Sequence, residues 1–193
     1  MNLPINREEA IELLNNFPQV KSDFNHYLES EAILRELASR LDEDVEYFGM
    51  LGLLHDVDWA MTKEDSKKHL TKAPEILKKA GFDDEFISIV VSHGYGFDCA
   101  NLKDKKRTKN IEFALAASET LTGLIHSYAL MRGGKISDMD SKGLMKKFKD
   151  KRFAAGCNRE IIKEIENLGI SLEEFFEMSI EGIKKIKDVV SLS

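Results

Sequence analysis

The chain reads as all-α. Apolar residues recur at helical spacing along most of its length, and capping residues stand ahead of several of those stripes. No stretch reads convincingly as a strand, and only 3 prolines interrupt 193 residues. Asn6 followed by Glu9 predicts a capping box for a first helix whose apolar side is Ile11, Leu13 and Leu14, with Pro18 ending it. A second helix is expected from about Lys21 to Leu41, carried by Tyr27, Leu34, Leu37, Ala38 and Leu41. His26 lies close to its stripe of Ile33 and Leu37 and is expected to face inward. Asp42 or Asp44 should cap the third helix, which runs through Tyr47, Phe48, Met50, Leu51, Leu53 and Leu54 to His55. Apolar nearly all round, with Gly49 and Gly52 admitting close neighbours, it has the profile of a central buried helix.

Residues 57 to 65 read as a loop. Ser66 begins a helical stretch carrying His69, with Pro74 kinking or restarting it and Gly81 closing it. Asp83 or Asp84 opens the next helix, where Phe86, Ile89, Val90 and His93 share one face. A polar loop follows, holding Lys103, Lys105, Lys106, Arg107 and Lys109. From Asn110 to Met131 runs a long Ala- and Leu-rich helix with Glu119 at its middle, and Gly133-Gly134 breaks it. A basic segment spans Lys142 to Arg152. Asn158 then caps a helix to about Leu168, which Gly169 stops, and Ser171 with Glu174 predicts a second capping box for the closing helix.

The length allows one domain with a core large enough to stand without staples. With 42% hydrophobic and 32% charged residues, this is the composition of a folded globule. Net charge of −6 gives no general attraction to nucleic acid or anionic lipid, so no nucleic-acid partner is expected. No apolar run nears the roughly 20 residues of a membrane helix, and the first residues lack the build of a secretory signal. Cys99 and Cys157 stand far apart and match no zinc spacing, which predicts free thiols and a cytoplasmic protein.

The chemistry centres on Leu53-Leu54-His55-Asp56, an apolar run that ends in an imidazole and a carboxylate. That pair can grip a divalent cation against a low-dielectric wall. It also suits the polar end of a helix, where the dipole favours His. His26, His69 and His93 on predicted inner faces or helix ends, and Glu119 among small apolar residues, tip the balance toward a cation. A buried carboxylate needs a partner. Imidazole with carboxylate suits Mn, Fe, Ni or Zn, one or two ions per chain, and the absence of cysteine among these candidates argues against a closed structural zinc site. In a two-ion arrangement Asp56 would bridge.

A His on an early helix, a His-Asp pair ending a Leu-rich helix and an acid on a later helix resemble the HD domain superfamily of metal-dependent phosphohydrolases. Here these are His26, Leu53-Leu54-His55-Asp56, and Glu119 within Ala116-Ala117-Ser118-Glu119-Thr120-Leu121-Thr122-Gly123. The stretch from Phe148-Lys149-Asp150 to Asn158-Arg159-Glu160 resembles a subgroup of uncharacterised predicted hydrolases of that superfamily. The resemblance implies an HD-type helical bundle with its metal core at about 20–130 and additional C-terminal helices at about 137–193, all in one domain. It implies His26, His55, Asp56 and Glu119 as metal ligands, with His69 and His93 available for a second ion. Asp56 would be catalytic, and Lys149 and Arg159 would meet a phosphate. The activity implied is hydrolysis of a small phosphate ester, a nucleotide-type monoester or diester. Glu119 departs from the usual Asp, which leaves an alternative: a weak or inactive metal-containing module that binds a nucleotide for regulation.

Overall fold

In a computed structural model that describes residues 3–18 and 20–193, the described residues form helices and turns with no strand among them. Helix α1 (Arg7–Asn15) starts on the expected box: the Asn6 side chain accepts from Glu9 N at 3.0 Å, and Glu9 Oε2 accepts from Asn6 N at 2.7 Å. Helix α2 (Lys21–Leu41) is buried along most of its length and packs against α3 (Val45–Leu54). Asp44 is the residue that caps α3, accepting from Tyr47 N at 3.0 Å. Asp42 instead closes α2 in the left-handed region at φ 57°, which a short polar side chain tolerates. Gly52 lets the two helices meet, since a Cβ there would lie 2.7 Å from the Ser30 carbonyl of α2.

The segment expected as a loop contains a short helix, α4 (Trp59–Thr62), followed by a 3-10 turn at Ser66–Lys68. Pro74 lies in the first turn of α5 (Ala73–Lys79), so it starts a helix that His69 does not share. A first-turn proline costs no hydrogen bond, and the preceding stretch is pulled out of helix by Asp58. That fully buried carboxylate accepts from the amides of Leu70 (3.1 Å), Lys72 (2.9 Å) and Ala73 (3.2 Å). Helix α6 (Asp84–Ser92) is capped by Asp83 and ends at His93.

Helix α7 (Asn110–Met131) packs on α2 and α6, and Gly133 and Gly134 follow it at positive φ. Beyond it come α8 (Ser141–Lys149) and α9 (Arg159–Lys163), the latter running on as a 3-10 stretch to Leu168. The last helix, α10 (Leu172–Lys185), lies against α2 and α8. Ser171 Oγ accepts from Glu174 N at 3.2 Å, but the reciprocal half of the expected box is replaced by an ion pair. Glu174 Oε1 takes Arg40 Nε of α2 at 2.5 Å. One apolar cluster runs from Ala10 to Leu192, so the C-terminal helices share the core of the rest. Cys99 and Cys157 are both free thiols. Among the described residues no helix is long and apolar enough to cross a membrane.

Candidate metal centre

Two helix ends present histidine in the same way. His55 follows the last residue of α3 and His93 the last residue of α6, and each ring turns back on its own helix. Nδ1 of His55 lies 2.7 Å from Gly52 O, and Nδ1 of His93 lies 2.7 Å from Val90 O. A carbonyl only accepts, so each ring carries its proton on Nδ1 and leaves Nε2 as a bare lone pair. His26 reaches the same state by another route. Thr122 Oγ1 spends its one proton on Glu119 O at 2.7 Å, and must therefore accept from His26 Nδ1–H, also at 2.7 Å. His69, held in the turn after Lys68, has Nδ1 3.3 Å from Asp58 Oδ1 without the alignment of a hydrogen bond.

All four Nε2 atoms converge on Asp56. Nε2 of His26 and His55 are 3.0 Å apart, as are those of His69 and His93. Asp56 faces one pair with each oxygen. Oδ2 is 3.8 Å from His26 and 3.6 Å from His55, while Oδ1 is 3.3 Å from His69 and 3.2 Å from His93. The donor atoms thus form two groups able to hold a metal ion, His26–His55–Asp56 and Asp56–His69–His93, with the carboxylate common to both.

The electrostatics favour a cation. Burial pushes His55 down to about 3 despite the neighbouring Asp56 charge, so this ring resists taking a proton. Burial alone would raise Asp56, but His55, His69 and His93 hold it well below the ordinary carboxylate range. His69 moves the other way: burial opposes its charge, yet Asp56 and Asp58 outweigh that and raise it to about 10. The bare Nε2 lone pairs of His26 and His55, 3.0 Å apart, repel unless a positive charge sits among them. Neutral imidazole plus carboxylate suits a borderline divalent metal, and the residues fit one.

Glu119 stays outside both groups. Its Oε1 accepts from Thr120 Oγ1 at 2.6 Å, and burial raises its carboxyl above the usual value despite nearby His93 and His26. It instead borders two cavities. One, of about 370 Å³, is lined by Asp56, His69, His93 and Glu119, with Trp59 and Phe97 among its walls. The other, of about 240 Å³, adjoins His26 and Thr122 and shares Phe97 and Glu119 with the first.

Neither of the two residues expected to meet phosphate lines these cavities. Lys149 is exposed at the end of α8. Arg159 spends its guanidinium on backbone carbonyls, with Nη1 donating to Ala154 O at 2.6 Å and Cys157 O at 2.7 Å, and Nη2 donating to Phe153 O. A fork with five donors is drawn to a turn rich in free carbonyls, and family-like position does not reveal that.

Several contributors escape sequence reasoning. Thr122 orients His26, and Trp59 and Phe97 wall the larger cavity. Arg107 grips the turn behind His93: Nη1 donates to Ser92 O (3.1 Å), His93 O (3.2 Å) and Tyr95 O (2.9 Å). The signals were faint, consisting of a single Trp beside the His-Asp pair and one Arg among lysines.

Fold and site together define an all-helical protein with a His/Asp cluster able to hold a metal ion. The family model described as HD domain matches residues 23–121, slightly more than half of the chain, and the chain belongs to the HD domain family. Members of that family are typically metal-dependent hydrolases. The matched span contains every histidine and acid of the cluster. No curated protein and no solved structure matches the chain.

Proposed function

We propose that this protein is a metal-dependent phosphohydrolase acting on a small phosphate ester of nucleotide type, monoester or diester. The observation that carries the reading is the Asp56 carboxylate, which divides its two oxygens between two histidine pairs, His26 with His55 and His69 with His93. In this reading His26, His55 and Asp56 would hold one cation, and Asp56, His69 and His93 would hold a second. A divalent cation bound there would supply positive charge against phosphoryl oxygens and bring the pKa of a water toward neutrality. Hydrolysis joins a water oxygen to phosphorus as the ester P–O bond breaks, and the proton lost by the water ends on the leaving oxygen. Asp56 fixes the reacting geometry by anchoring both histidine pairs. Glu119, lining both cavities, accepts a hydrogen bond from the attacking water and orients it. Trp59 and Phe97 give the larger cavity apolar walls, which strengthens the electrostatics within.

One observation favours a second reading. Glu119 joins neither ligand group, and a module lacking that ligand could bind a nucleotide without cleaving it. A panel of phosphate monoesters and diesters with Mn²⁺-loaded protein separates the two. Turnover is expected for at least one member, falling to background in Asp56→Asn. Turnover that survives Asp56→Asn would overturn the hydrolase reading. Nucleotide binding without turnover, with hydrolysis gained by Glu119→Asp, would establish the alternative.

A further inference from the structure

We infer that the site selects a substrate that carries a single phosphate and a flat aromatic ring system and discriminates against polyphosphates. This rests on the proposed phosphohydrolase reading and narrows its substrate class. The larger cavity provides the argument. Its lining includes the Asp56–His69–His93 group, where a phosphate would sit, together with Trp59, Phe97, Gly94 and Cys99. Trp59 is half-buried and stands edge-on to His69, with ring centroids 5.2 Å apart, so an aromatic surface begins directly beside the cluster. Phe97 leaves 44% of its surface exposed on the partition between the two cavities. Aromatic rings on two walls of a pocket of this size favour a planar group, by stacking and by burial of apolar area.

The charges point the same way. Among the described residues no lysine or arginine lines this cavity, while Asp56, Asp98 and Glu119 do. Lys67, near the rim, already pairs with Asp98, its Nζ 3.6 Å from Oδ2. Cations in the cluster would neutralise one phosphate. Each further phosphate would extend along a wall with acids and no basic fork to receive it, which is the reverse of a polyanion site.

Trp59 is the only tryptophan in the sequence, so its fluorescence reports on this wall alone. The full-length protein with Mn²⁺ is titrated with 1-naphthyl phosphate, glycerol phosphate and a nucleoside triphosphate. The expected result is a shift of Trp59 emission with 1-naphthyl phosphate at concentrations about tenfold lower than for the other two. In turnover, the preference for naphthyl over glycerol phosphate should fall about tenfold in Trp59→Ala and in the exposed-site variant Phe97→Ala, and survive in Trp59→Phe. Equal response to the three probes, preference for the triphosphate, or an unchanged preference in both alanine variants would overturn the inference. If no ester is cleaved, the phosphohydrolase reading fails while the emission titration still decides whether the ring site exists.

Discussion

Arg107 ties the turn that carries His93 to the C-terminal part of the chain. Its Nε and Nη2 grip both oxygens of Glu164 at 2.5 and 3.0 Å, while Nη1 serves the three carbonyls beside His93. Only 6% of the side chain is exposed, so nothing in solvent can replace these bonds. Arg107→Met is expected to cost about 3 kcal/mol in urea unfolding, because Glu164 and the carbonyls lose their donor. The same variant should weaken metal binding by about tenfold or more, since His93 loses its support from behind. Arg107→Lys should restore only part of both, having charge but no fork. Unchanged metal affinity in Arg107→Met would show that the grip is purely structural. The metal-type residues themselves were legible in sequence because imidazole and carboxylate declare their chemistry. Arg107 was not, because its role depends on Glu164, 57 residues away, and on carbonyls that become neighbours only after folding.

Helices α2 and α7 were legible nearly to the residue, since long periodic stripes outweigh local ambiguity. The stretch from Val57 to Ala73 was not. Its path is set by a single carboxylate, Asp58, collecting three amides, and no periodicity announces that. A polar bond between α2 and α7 also went unforeseen: His126 Nδ1 lies 2.6 Å from Oε1 of Glu29, which is nearly fully buried. The Glu29 hydrogen bond raises His126 above its ordinary 6.5, against the opposing pull of burial. A folded-state value above the unfolded one stabilises fully below about 6.5 and is lost as pH climbs through the folded value. Wild type should therefore exceed His126→Gln in urea midpoint by more at about pH 6 than at about pH 9. An equal difference at both would mean that the pair contributes no proton-linked stability.

At the scale of the molecule, α2 is the axis: α3 and α7 pack on it, and α10 lies against it as well. Gly182 permits that last contact, since a Cβ there would stand 2.9 Å from the Ala32 carbonyl. The family match ends at Leu121, yet Thr122, one residue on, fixes the tautomer of His26, and Glu164 braces the His93 turn through Arg107. The C-terminal helices are thus part of what holds the cluster. The proposed chemistry depends on Asp56 serving two cation sites at once. Titration of metal-free protein with Mn²⁺, followed by electron paramagnetic resonance, tests this directly. Two ions per chain are expected in the wild type, one each in His26→Ala and His69→Ala, and none in Asp56→Ala. An Asp56→Ala protein that still bound its full complement of Mn²⁺ would contradict the account.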